Sequence, residues 1–247
     1  EKGVSQDRDG VIRFLAFDPA SPNSIVSCLS QARDNARTIR EIIPTEMWEQ
    51  INVFYHVARN ASRDSRAILA NPYQFCDEVK RRDLTISGIA SDAMSHDEAW
   101  DFLRLGKLLE RADKTSRILD VKYFILLPYP TDVGSNLDYV QWAALLKAIS
   151  ALEAYRRRHG RIQPDRIAEF LLLDHDFPRS VLACLLRAQQ CLHAITGTQI
   201  GYFSNPAEKR LGHLCGDLAY KDVDEVFAFG LHEFTDDLQT RMNLVDE

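Results

Sequence analysis

The sequence predicts an all-α protein, a single bundle of about eight or nine helices, and three observations support this fold class. Apolar residues recur three or four positions apart along most of the chain. Several prolines directly follow or closely follow a capping residue, as in Ser21-Pro22, Asn71-Pro72 and Asn205-Pro206, where the missing N–H costs nothing in the first turn of a helix. Glycine and proline are sparse, at 11 and 9 residues, and no linker rich in Gly, Ser or Pro interrupts the 247 residues. We therefore expect one domain over residues 1–247.

Each expected helix rests on this apolar spacing and on its end signals. The expected helices cover about residues 25–43, 45–68, 72–92, 95–127, 138–160, 165–173, 178–196, 205–219 and 222–245. The fourth opens with a capping box in which Ser95 and Glu98 satisfy each other's backbone N–H groups, and Pro128 ends it. Gly160 ends the fifth. Only residues 11–17 look strand-like, and since one short strand cannot make a sheet, we expect at most one short strand near the N-terminus.

The composition restricts the classes of function. A net charge of −6 argues against non-specific binding of nucleic acid, which needs a strong basic excess. No apolar run approaches the roughly 20 residues of a membrane span, so we expect no membrane contact. Five scattered cysteines, an odd number, indicate reduced thiols, and no signal-peptide pattern begins the chain. These features predict a cytoplasmic protein.

The most structured charged segment is LRLGKLLERADKTSRILDVKY, residues 103–123. At 100° per residue, one narrow stripe of this helix is formed by Gly106, Glu110, Asp113, Arg117 and Asp120. A basic stripe beside it is formed by Arg104, Lys107, Arg111 and Lys114. The opposite, apolar arc is formed by Leu105, Leu108, Leu109, Ala112, Leu119 and Tyr123.

Three interpretations of the stripe remain open from spacing alone. It could be a site, with Glu110 and Asp113 as acid/base groups or cation ligands and Arg117 as an anion clamp. It could be a solvated face with i,i+4 pairs such as Glu110–Lys114 and Asp113–Arg117. It could also lie inside the bundle as a satisfied polar network.

Familiar sites for metals and cofactors are not indicated. The chain has no Glu-x-x-His, the pattern of di-iron bundles. The pairs Cys191/His193 and His213/Cys215 are spaced i,i+2, so their side chains point about 200° apart on a helix. There is no G-x-G-x-x-G and no Walker loop, and no ordering of Ser, His and Asp or of Cys and His stands out. We therefore expect no metal and no cofactor. The run 156–159, Arg-Arg-Arg-His, either complements a helix dipole or forms a patch for phosphate or an acidic partner.

The segment 97–123, DEAWDFLRLGKLLERADKTSRILDVKY, closely resembles the alpha-E family, a bacterial all-helical domain named for its Glu-Arg motif. Further matching segments are FDP at 17–19, NSI at 23–25, ARDNAR at 32–37, EMWE at 46–49, SALEAYR at 150–156, AEFLLLD at 168–174 and FPRS at 177–180. Family members usually open with another helix that carries a first Glu-Arg motif. This chain lacks that helix, and we infer from the resemblance that a segment upstream of Glu1 is missing.

The resemblance implies a function without a defined reaction. Alpha-E proteins accompany ATP-grasp-type peptide ligases and transglutaminase-like proteins, so a role beside amide-forming chemistry is implied. The positions that fall in the family's motifs are Arg33, Arg37, Glu110, Arg111, Asp113, Arg117 and Asp120. Our leading hypothesis is an accessory helical module that binds such a ligase or its peptide substrate. The alternative is an enzyme that acts on a peptide or aminoacyl substrate through Glu110, Asp113 and Arg117. A fold-maintaining role is the third, in which Arg33, Arg37 and Arg40 face the acidic stripe across a helix pair.

Overall fold

A computed structural model of the chain describes residues 7–124 and 135–245. Within them the backbone is all helical, with no β-strand, which confirms the predicted fold class. The helices are α1 Arg8–Phe17, α2 Ile25–Thr38, α3 Thr45–Arg63, α4 Arg66–Ala70, α5 Pro72–Ala93, α6 Glu98–Phe124, α7 Asn136–Ala148, α8 Leu152–His159, α9 Pro164–Leu172, α10 Val181–Thr196, α11 Pro206–Ala219, α12 Val223–Phe229 and α13 Leu231–Asn243. None of these helices has the combined length and apolarity that crossing a lipid bilayer requires.

The predicted number of helices is wrong: the described residues form thirteen. Three long predicted helices are each broken once. The break between α3 and α4 falls at Ser65, which accepts a hydrogen bond from Arg13 Nη1 at 2.8 Å. That between α7 and α8 falls at Ser150, whose φ is +56°. That between α12 and α13 falls at Gly230, whose φ of +101° no helical residue adopts.

The fourth additional helix is α1, where residues 11–17 were expected to be strand-like. Asp7 caps this helix, since its side chain accepts a hydrogen bond from the Gly10 N–H at 2.7 Å. At the other end, Phe17 packs against Phe75 with ring centroids 5.3 Å apart. A local cap and one tertiary contact therefore override the apparent alternation.

Several predicted helix starts are also corrected. Asp97, not Ser95, caps α6, because its Oδ1 accepts from the N–H groups of Ala99 at 3.1 Å and Trp100 at 3.4 Å. Ser24 caps α2, three residues after the expected Ser21. Asn205 caps α11 as predicted. The predicted end of α6 near residue 127 lies outside the described residues.

The chain groups into two compact units, Glu1–His96 and Asp97–Glu247. In the first, α2 packs on α3, α3 on α5, and α1 on both α2 and α3, around the small core of Ala16, Phe17 and Phe75. In the second, α6 is the central helix and packs on α7, α9, α10 and α13. Its core is much larger and includes Leu108 and Ala112 of α6. The expectation of a single domain stays a prediction.

Candidate functional site

Helix α6 is amphipathic in the way its sequence predicts. Leu108, Ala112 and Leu119 are buried in the core of the second unit, and Leu105 and Leu109 pack against it. The Tyr123 side chain, also expected on this arc, lies outside the described residues. Burial of the apolar arc fixes the rotation of the helix, and this leaves the predicted stripe on the opposite side.

One ion pair links the stripe to the neighbouring basic stripe, and a second lies within the stripe. Lys114 Nζ lies 3.1 Å from Glu110 Oε1, and Arg117 Nε donates to Asp113 Oδ2 at 2.7 Å. Both are the predicted i,i+4 pairs. Glu110 and Arg117 keep 65% and 47% of their side-chain surface exposed, so each pair contributes only about 0.3–0.5 kcal/mol. The hydrogen bond from Arg117 to Asp113 is the main cause that raises the pKa of the guanidinium.

Asp113 is the most enclosed carboxylate of the stripe, with 14% of its side chain exposed. Its Oδ2 is taken by Arg117, with Lys114 Nζ at 3.5 Å. Its Oδ1 is buried and has no hydrogen-bond partner among the described residues. Asp113 is therefore the largely enclosed member of the stripe, whereas the Glu110 and Arg117 side chains are in contact with solvent.

Asp120 faces helix α13 and not its neighbours on the stripe. Its Oδ1 accepts a hydrogen bond from His232 Nδ1 at 2.7 Å and another from Thr235 Oγ1 at 3.2 Å. The bond from His232 is the main cause that raises the pKa of this histidine. Thr235 is fully buried. Asp120 thus ties α13 to α6, a structural role.

Arg111 points to the loop before α10. Its Nη1 donates to the Pro178 carbonyl oxygen at 3.4 Å, and one turn later Thr115 Oγ1 donates to the Arg179 carbonyl oxygen at 3.0 Å. These bonds attach the loop to α6.

Arg33 and Arg37 lie in the first unit, on α2. Arg33 Nε donates to Asn52 Oδ1 at 2.7 Å, and its guanidinium lies 5.0 Å from the Tyr55 ring centroid and 5.9 Å from that of Trp48. Arg37 is exposed in the last turn of α2, where a cation complements the helix dipole. The expected pairing of these arginines with the acidic stripe joins the two units and stays a prediction.

The buried ion pair between Lys122 and Asp138 was not predicted from the sequence. Lys122 Nζ lies 2.8 Å from Asp138 Oδ1, and each side chain is only 1% exposed. The ammonium also lies 4.8 Å from the ring centroid of Trp142. A signal for it exists, because Lys122 follows Leu119 by three positions and so falls on the apolar arc of α6, where a charge needs a buried partner.

Glu208 is a second buried carboxylate that the sequence analysis did not single out. Burial alone would raise its pKa, but hydrogen bonds from the Thr196 hydroxyl and from Ser204 outweigh burial and lower the pKa to about 2. The Glu208 N–H donates to Asn205 Oδ1 at 2.9 Å. Asn205 and Glu208 have the spacing of a capping box, so the sequence did carry a signal.

The cysteines are unpaired, and the side chains that could bind a metal lie apart in the described residues. All five cysteines are free, with Cys28 and Cys76 exposed. Burial raises the pKa of the Cys184 thiol to about 11 and that of Cys215 to about 12, so both stay protonated at neutral pH. No three side chains of His, Cys, Asp or Glu come close enough to hold a metal ion in the part of the chain that the structure covers.

Comparison with known proteins places this arrangement in a family. The chain is 26% identical over 191 residues to uncharacterised proteins of Mycobacterium bovis and Mycobacterium tuberculosis. The match covers 74% of this chain but only 21% of each relative, so the chain spans about a fifth of the length of these proteins. No solved structure matches. The model of the Alpha-E family, described as "a predicted alpha-helical domain with a conserved ER motif", matches residues 1–247. The chain therefore belongs to the Alpha-E family.

Proposed function

We propose that this chain is a cytoplasmic binding module that presents the charged stripe of α6 to a partner protein, an ATP-grasp-type peptide ligase or a transglutaminase-like protein. The observation that carries the proposal is that the exposed charges of the stripe are fixed by ion pairs within α6. The side chains of Glu110 and Arg117 are held by Lys114 and Asp113 on one rigid helix while keeping about half or more of their surface in solvent. Such a fixed pattern of charges suits recognition of a complementary surface.

The same geometry disfavours an enzyme built on the stripe. A catalytic carboxylate is expected to line a concave pocket. Cavities of about 470, 390 and 650 Å³ among the described residues are lined by other side chains. Asp113 is tied to Arg117, and Asp120 is tied to His232. The carboxylates are thus engaged in holding charges and helices in position.

The relatives support a modular role. In the mycobacterial proteins, the matched region makes up about a fifth of the chain. The module therefore occurs there within a much longer polypeptide, as expected of a domain that works beside others.

Binding measured by calorimetry tests the proposal. The purified chain is titrated with the ATP-grasp-type ligase of the same cell, and then the double variant Glu110→Gln/Arg117→Gln is titrated. We expect a complex of micromolar affinity or tighter, and binding roughly tenfold weaker in the variant, a loss of about 1.4 kcal/mol. The affinity should also fall with salt, because exposed charges carry the recognition.

The matched control is Asp77→Asn/Arg81→Gln, which removes another exposed i,i+4 pair, on α5. It should leave the affinity unchanged. Circular dichroism should give the wild-type helix content for both variants. Equal weakening by both, or no binding of ligase or transglutaminase-like protein at micromolar concentration, would refute the proposal.

A further inference from the structure

A cavity of about 650 Å³ forms a groove along helices α10 and α11 in the second unit. Its volume lies in the range of about 300–1,000 Å³ that is typical of ligand sites. The loop between the two helices forms one wall of the groove. It shares no residue with the charged stripe of α6.

The floor of the groove is bare backbone of α11 at Gly212 and Gly216, one helical turn apart. A Cβ atom at Gly216 would meet nothing within 4 Å, and one at Gly212 would meet only Gln189 Nε2 at 3.4 Å. Close packing of the helix therefore does not require glycine at either position, although glycine weakens a helix relative to alanine. Two glycines without side chains let a ligand approach the helix closely.

Gln189 of α10 lines the groove beside this floor. The residue is only 9% exposed, and its side-chain amide has no hydrogen-bond partner among the described residues. The amide atoms are not themselves buried, and they keep contact with solvent. An amide left open toward a groove is therefore complementary to a ligand that offers a donor and an acceptor together, as a peptide group does.

Aromatic side chains stand around the groove and are largely in solvent. Tyr202, Phe203 and Tyr220 are 71%, 58% and 93% exposed, and Ile200 is 57% exposed. Soluble proteins rarely leave such clusters uncovered, and aromatic residues are enriched where partners bind. These walls fit apolar side chains of a ligand.

We propose that this groove binds an extended peptide segment with apolar side chains, whose backbone N–H and C=O groups pair with the Gln189 amide. An extended segment is favoured over a helix because the backbone groups within a helix are already hydrogen-bonded to each other and would leave Gln189 without a partner. The inference rests on the proposed function as a binding module and names the class of substrate or partner segment that the module holds.

A phage-displayed heptapeptide library tests the groove. The library is selected on the wild-type chain, and an enriched sequence is synthesised with a fluorescent label for polarisation assays. The variant Gly216→Leu fills the floor, and Gln189→Met removes the amide at nearly constant shape. We expect each variant to bind the peptide at least tenfold more weakly than the wild type, while thermal unfolding occurs at or above the wild-type temperature. Gly88→Leu on α5, another helical glycine with open space at its Cβ position, is the matched control and should bind normally.

Failure to enrich any sequence, or equal affinity in wild type and Gly216→Leu, would overturn the peptide groove. Equal affinity in Gln189→Met, or a bound peptide that is helical by NMR, would overturn the extended backbone pairing. Both results would leave the ligase titration on the α6 stripe unaffected, so the failure of this inference and the failure of the proposed function are distinguishable.

Discussion

The buried ion pair between Lys122 and Asp138 makes a sharp prediction about stability. Its two charges lie 2.8 Å apart, and each side chain is 1% exposed. At an effective dielectric constant of about 20, their attraction is roughly 6 kcal/mol. Desolvation costs several kcal/mol for each ion, so the intact pair is close to neutral in net effect. Removing one partner leaves the other charge buried and unpaired, which costs about 3–5 kcal/mol.

We therefore expect Lys122→Met and Asp138→Leu each to lower the free energy of unfolding by about 3–5 kcal/mol. The double variant should return close to the wild-type value, because no uncompensated charge remains. Urea unfolding followed by circular dichroism measures all three. The control is Lys221→Met, which breaks the partly exposed pair with Glu225 and should cost at most about 1 kcal/mol. Single variants that both unfold within about 1 kcal/mol of wild type, or a double variant as unstable as the singles, would refute the reasoning.

Three further predictions concern titration and helix propensity. The pKa of Glu208 is lowered from 4.5 to about 2, so the carboxylate stabilises the fold above pH 4.5 and this stabilisation is lost as the pH falls toward 2. In Glu208→Gln, the free energy of unfolding should therefore fall less steeply between pH 5 and pH 3 than in the wild type, and an equal slope would contradict this. The hydrogen bond to Asp120 raises the pKa of His232 from 6.5, so the stability that it contributes is complete below pH 6.5 and is lost as the pH rises through the folded-state pKa. An NMR titration should show a lower His232 pKa in Asp120→Asn than in the wild type, and the same pKa in both proteins would disprove the bond. Gly106 lies on α6, and a Cβ atom at this position would meet no neighbouring atom within 4 Å. Gly106→Ala should therefore raise the free energy of unfolding, measured in urea, by about 0.5–1 kcal/mol, whereas a loss of stability would show that this glycine has a packing role.

The all-helical fold could be predicted because the apolar spacing and the Pro-containing starts are local signals. The breaks inside the long helices were harder to predict from the sequence. Gly230 stands between Phe229 and Leu231, so the break there had a local signal. Ser150, whose φ is also positive, has no such signal, because neither it nor its neighbours is glycine or proline.

In the candidate site too, some contacts could be predicted from local spacing and others could not. The pairs of Glu110 with Lys114 and of Asp113 with Arg117 follow from helical spacing alone. The bond between Asp120 and His232 joins residues 112 positions apart, so no local pattern could reveal it. The unpartnered amide of Gln189 likewise becomes visible only when α10 and α11 are packed together.

Affinity purification of the protein from its native cell, followed by quantitative mass spectrometry, tests the central claim most directly. A binding module predicts that an ATP-grasp-type ligase or a transglutaminase-like protein is recovered in near-stoichiometric amount with the wild type, and that much less is recovered with Glu110→Gln/Arg117→Gln. Recovery of the protein alone, or equal recovery of the partner with the variant, would contradict the claim that the α6 stripe is its docking surface.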